Sequence, residues 1–138
     1  MNIKLSQAVK QARKIAGTLK GGEILALSGD LGSGKTTFTK ALGEQLGVRE
    51  LITSPTFVLM QHYKTKLKGS DSKPIWLYHL DLYRTKNFSE IKDIGLTEVW
   101  GRPEVITVIE WADKISSQLP KNTIKILFTR DDDKLSKN

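Results

Sequence analysis

The feature that most constrains this chain is the run Gly29-Asp30-Leu31-Gly32-Ser33-Gly34-Lys35-Thr36. It satisfies G-x-x-x-x-G-K-[ST], and its surroundings agree with the pattern. Glu23 to Ser28 is a short apolar run, as in a strand buried on both faces. Lys35 to Leu46 reads as an amphipathic helix ending at Gly47. Strand, glycine-rich loop and helix in that order form a cradle for anions. The glycines let successive backbone N–H groups turn inward. The helix that follows points its positive end at the same place. Lys35 would put a charge between the β- and γ-phosphates, and Thr36 would offer a hydroxyl to Mg²⁺. Backbone amides over Gly32, Ser33, Gly34, Lys35, Thr36 and Thr37 are therefore the expected holders of a nucleoside triphosphate. For Thr37 a plain polar position in a first helical turn is the simpler reading.

The rest of the chain places this cradle in an α/β fold. After Ser6, read as an N-cap, Val9, Ala12, Ile15, Ala16 and Leu19 recur at helical spacing, stopped by Gly21-Gly22. Phe57 to Tyr63 and Pro74 to Leu80 read as two strands of an antiparallel hairpin. The basic segment 64–73, with Gly69-Ser70-Asp71-Ser72 as its turn, is expected to be the hairpin loop. Ser89 to Ile94 predicts a short helix closed by Gly95, and Thr97 to Trp100 a further turn. Val105 to Ile109 predicts a strand, Ala112 to Gln118 a helix and Thr123 to Thr129 a last strand. This order predicts a three-layer P-loop NTPase fold of the α/β class, with a largely parallel central sheet and an antiparallel hairpin. The expected organisation is one domain over 1–130 and a charged C-terminal tail over 131–138.

Such a loop needs a carboxylate to hold the metal, and strand ends face the ligand crevice in parallel sheets. Asp81 and Glu110 both end apolar strands, and the residues alone do not rank them. His79 could act as a base, but a packed, hydrogen-bonded side chain is the simpler reading. Arg84 is a phosphate contact or a surface ion pair. Trp111 is either packing or a cover for the nucleotide. Composition narrows the chemistry. There is no cysteine, which removes disulfides and thiolate chemistry. No apolar run reaches the roughly 20 residues of a membrane span, and a cytoplasmic protein is expected. The net charge of +7 favours phosphorylated or nucleic-acid partners without choosing between them. The lysines at 64, 66, 68 and 73 could touch an RNA backbone, but a solvated loop is the simpler expectation.

Taken together the motifs resemble the TsaE family, the small P-loop ATPases of bacterial tRNA threonylcarbamoyladenosine (t6A) synthesis. The matching segments are Gly-Asp-Leu-Gly-Ser-Gly-Lys-Thr-Thr at 29–37, Thr-Ser-Pro-Thr-Phe at 53–57, His-Leu-Asp-Leu-Tyr-Arg at 79–84, Asp-Ile-Gly-Leu at 93–96 and Ile-Glu-Trp-Ala at 109–112. The resemblance implies slow ATP hydrolysis with Mg²⁺, in concert with TsaD and TsaB, which modify A37 of tRNAs reading ANN codons. It matches Glu110 to the second magnesium position beside Thr36, and Asp81 to an acid needed for hydrolysis. Lys35 and Trp111 fall on family positions tied to phosphate and to nucleotide state. Thr53, Ser54, Pro55, Thr56 and Phe57 match a switch loop that reports the γ-phosphate. Two departures stand out: Ser33 where alanine is common, and a basic segment 64–73 longer than in many relatives. A small-molecule kinase and a nucleotide-gated interaction module are the rival readings of the same cradle.

Overall fold

The computed structural model describes residues 1–53 and 60–131. Its six strands form one sheet in the order β1-β6-β2-β5-β4-β3. They are β1 (Asn2–Lys4), β2 (Ile24–Gly29), β3 (Met60–Lys68), β4 (Pro74–Asp81), β5 (Val105–Glu110) and β6 (Ile124–Thr129). Every described pairing is parallel except that of β3 with β4. Helices α1 (Ala8–Ala16) and α2 (Lys35–Gln45) cover one face; α3 (Phe88–Asp93), α4 (Leu96–Val99) and a 3₁₀ segment over Ala112–Gln118 cover the other. This is the expected three-layer P-loop architecture.

Strand alternation explains how the two cores arise. In β2, Leu25 and Leu27 enter the core shared with Ala12, Ile15, Phe38 and Leu42, while Ile24 and Ala26 enter the core shared with Ile91, Leu96 and Ile115. A strand flanked by helices on both faces has no polar side to show, and all six residues of β5 are buried. The Phe38 and Phe128 rings meet edge-on at 5.3 Å and tie α2 to β6.

Several local expectations change. The strand β1 was not foreseen; three residues carry no readable period, and only pairing with β6 makes them a strand. Helix α1 starts at Ala8 after a 3₁₀ turn over Leu5–Gln7, not at a Ser6 cap. The Ser6 backbone N–H instead donates to Asp131 Oδ1 at 3.0 Å. The helix ends at Ala16, where the Thr18 hydroxyl donates to the Ile15 carbonyl at 2.7 Å, short of Leu19. The segment 112–118 is 3₁₀, broken at Ile115 (φ −127°).

The largest correction concerns the basic segment. Lys64, Lys66 and Lys68 lie within β3, not in a hairpin loop. Alternation is the reason: Tyr63 and Thr65 are buried while Lys64, Lys66 and Lys68 are exposed. The turn proper spans Gly69–Ser72, with the Ser72 N–H donating to Gly69 O at 3.0 Å. The switch-loop positions Ser54, Pro55, Thr56 and Phe57 and the tail over 132–138 lie outside the described residues.

Candidate functional site

Three strands end side by side where β2, β5 and β4 are neighbours, and each delivers one part of the site. β2 runs into the glycine-rich loop, β5 ends on Glu110, and β4 ends on Asp81, whose Cα is paired with that of Glu110.

The loop has the backbone its glycines permit. Gly29, Gly32 and Gly34 all have positive φ, at 139°, 75° and 110°. A side chain at Gly29 would also place a Cβ 2.5 Å from the Phe128 carbonyl oxygen. At Gly34 a Cβ would sit 3.1 Å from Leu5 Cδ1, so the 3₁₀ turn before α1 presses on the loop from behind. Arg130 braces the outside, donating to the Leu31 carbonyl at 2.5 Å. Ser33 is 1% exposed, which suits a small side chain at that position.

Lys35 is 4% exposed. Its ammonium donates to the carbonyls of Gly29 and Asp30, the latter at 2.9 Å, and lies 3.9 Å from the centroid of the Trp111 ring. The charge is thus folded onto the loop it would serve. Burial lowers the Lys35 pKa below the ordinary lysine value, opposed by the charges of Glu110, Asp113, Asp30 and Asp81. Trp111 itself is held at φ 60°, ψ 38°, a left-handed conformation unusual for a bulky residue. Its ring packs on Tyr83 at 4.9 Å, so Tyr83, Trp111 and Lys35 form one stack. Lys114 anchors that stack from the side by donating to the Tyr83 carbonyl at 2.5 Å and the Thr85 carbonyl at 3.2 Å.

Glu110 is 2% exposed and has a partner on each oxygen. Oε1 accepts from the Thr36 hydroxyl at 2.9 Å. Oε2 lies 2.5 Å from His79 Nε2 on the neighbouring strand. An ionised carboxylate only accepts, so the imidazole N–H points at Glu110. His79 is fully buried, and its Nδ1 has no hydrogen-bond partner among the described residues. The histidine is therefore packed and hydrogen-bonded, and its bond is to the site. Asp81 is half-buried and accepts from the Tyr83 N–H at 3.0 Å. Burial raises its pKa, the Tyr83 N–H opposes this, and the Glu110 charge adds to it.

Thr36 and Glu110 thus form a hydroxyl–carboxylate pair, an all-oxygen donor set that fits Mg²⁺. Among the described residues no cluster of three or more His, Asp or Glu side chains could hold a metal alone. Thr37 is exposed in the first turn of α2, and Thr53, before the undescribed stretch, is exposed as well. Arg84 is exposed and makes no ion pair among the described residues, so its ion-pair reading is not realised. Sequence reasoning missed Tyr83, Lys114 and Arg130. They work through backbone carbonyls or a packed ring face, which leave no motif.

The model of the family described as threonylcarbamoyl adenosine biosynthesis protein TsaE matches residues 3–138. A tRNA threonylcarbamoyladenosine biosynthesis protein TsaE from Bacillus subtilis is 39% identical over 119 residues, covering 86% of this chain and 69% of that protein. One from Rickettsia bellii is 41% identical over 125 residues, covering 89% and 81%. The crystal structure of Bacillus subtilis YdiB superposes with a TM-score of 0.59 at 33% identity, over 91% of this chain and 71% of that one.

Proposed function

The chain belongs to the TsaE family, and from that premise we propose that it binds and slowly hydrolyses ATP with Mg²⁺ in the t6A modification of tRNA, alongside TsaD and TsaB. The observation that carries the nucleotide reading is the Thr36–Glu110 contact. It joins the first turn of the helix behind the glycine-rich loop to the end of the adjacent strand.

Each residue then has a task its position supports. The amides over 32–37 cradle the phosphates at the positive end of α2. Lys35 leaves the carbonyls of Gly29 and Asp30 and turns to the β- and γ-phosphates. Anionic oxygens attract an ammonium more strongly than neutral carbonyls do. Thr36 and Glu110 hold the metal, with His79 fixing the carboxylate's orientation from behind. Bound there, Mg²⁺ would neutralise charge on the β- and γ-phosphate oxygens. Asp81, beside Glu110 and with its pKa raised, is suited to orient the attacking water. Trp111 covers Lys35 and must shift when Lys35 does, so its ring reports nucleotide state.

Reconstitution tests this reading. Purified protein, TsaD, TsaB, tRNA, ATP and an activated threonylcarbamoyl donor should yield t6A, and Glu110→Ala should abolish it. Wild-type protein that supports no ATP-dependent t6A formation would sink the assignment. A binding assay with a fluorescent ATP analogue, with and without Mg²⁺, checks the cradle separately.

A further inference from the structure

The site uses one end of β4, and the other end of the hairpin has its own chemistry. On the face of β3 and β4 away from α1 and α2, His62 lies opposite Tyr78, and Lys64 opposite Trp76. The His62 ring stacks on Tyr78 at 5.4 Å with 26° between planes and meets Trp76 edgewise at 5.5 Å. Helices α3 and α4 pack only at the Leu80 end, and neither Trp76 nor Tyr78 belongs to that core. His62 is exposed; Trp76 and Tyr78 are half-exposed. Beside the rings the ladder slips between Lys64 and Lys68. Arg49, Lys64, Lys66 and Lys68 line an open groove of about 370 Å³ along the edge of the sheet, which also takes in Gly47 and Thr65 and meets the ring face at Lys64, with Glu50 as its single acid. Among the described residues none of these cations has a carboxylate partner; the ion pairs found are His79–Glu110 and Arg102–Glu104. Asp71, at the hairpin turn, is engaged by the Lys73 N–H at 3.0 Å.

Lysines on an edge strand discourage edge-to-edge pairing, and that alone would explain their charge. It does not explain three rings set next to them on the bare face of the sheet. A ring platform flanked by unpaired cations is what a single-stranded nucleic acid needs: π-faces for unstacked bases and charges for the backbone. We propose that this hairpin face binds an RNA strand, with His62, Trp76 and Tyr78 as the stacking platform and Lys64, Lys66, Lys68 and Arg49 along the phosphates. The proposal rests on the tRNA-modification reading. It adds a contact surface on β3, the strand that follows the switch-loop segment 53–57.

Fluorescence anisotropy of a labelled anticodon stem-loop RNA with the purified full chain tests this. No ATP, TsaD or TsaB is present, so the result is independent of t6A formation. Wild type should bind the stem-loop better than a blunt RNA duplex of equal length. The double variant Lys64→Glu/Lys66→Glu should weaken binding at least about tenfold and flatten the log–log salt slope by about 1.4. Lys10→Glu/Lys14→Glu, the same charge change on exposed positions of α1, should change it less than about twofold. His62→Ala, an exposed position, should cost about fivefold or more on the stem-loop and little on the duplex. Circular dichroism confirms that each variant folds. Equal losses from the two lysine pairs, no stem-loop binding by wild type at low salt, or equally tight binding of a poly-glutamate peptide would overturn the proposal. The last result would mark a docking face for an acidic protein. Stem-loop binding that is normal in a protein unable to support t6A would count against the parent reading alone.

Discussion

The central strands β2 and β5 and the hairpin β3–β4 belong to one sheet yet follow opposite rules. β2 and β5 lie between helices on both sides and are apolar along their length, and their chemistry gathers at their C-terminal ends. Away from its Leu80 end the hairpin is buried on one side only, so β3 alternates Tyr63 and Thr65 inward with Lys64 and Lys66 outward. A buried parallel strand spends its side chains on packing and can present function only where it stops. A half-covered antiparallel strand carries function along its length. Hence the proposed nucleotide site sits at strand ends, and the proposed RNA face on a strand's flank.

The contrast sets an order of expected effects. Lys35→Ala should reduce ATP turnover by about 100- to 1,000-fold, because a positioned cation at the developing charge is removed. Steady-state phosphate release measures it, and a loss below tenfold would take Lys35 out of the chemistry. In the central strands, Leu27→Ala should destabilise by about 2–5 kcal/mol in urea unfolding, since Leu27 is fully buried between α2 and the sheet. A cost under 1 kcal/mol would show that this face is loosely packed.

Asp81→Asn should give a smaller effect of opposite sign. The Asp81 pKa is raised in the folded state, so between the ordinary value of 3.8 and its raised value the native protein holds a proton that the unfolded chain has released. Stability is therefore lost as pH rises through that window, and asparagine removes the penalty. The variant should be more stable than wild type at neutral pH and equal to it below pH 3.8. Thermal melts across pH 3–8 check this, while ATP turnover falls if Asp81 orients water. The smallest effect belongs to the hairpin flank: Lys64→Ala should shift stability by no more than about 0.5 kcal/mol. A larger loss in urea unfolding would mean the lysine is structural, and would blur the contrast between the two regions.

Much of this was legible before any coordinates. The cradle, its helix and the apolar strand before it are contiguous, and contiguous signals survive in a single chain. Asp81 and Glu110 were recognisable as strand-end acids, although only the family resemblance ranked them. The 64–68 stretch misled because lysine-rich residues near a glycine-containing turn read as loop, while Tyr63 and Thr65 mark alternation only once a sheet face exists to bury them. The three residues of β1 were invisible for a similar reason: their strand is made by β6.

The amino-acid order therefore determined the P-loop, the succession of strands and helices, and which acids end which strands, because each depends on spacing within a few residues. Tertiary structure decided what faces what. It put His79 behind Glu110, laid Trp111 over Lys35, and set three rings beside a row of lysines. Those relations join residues from 12 positions apart (Lys64 and Trp76) to 76 apart (Lys35 and Trp111) through strand order and register in the assembled sheet, and no local spacing encodes them.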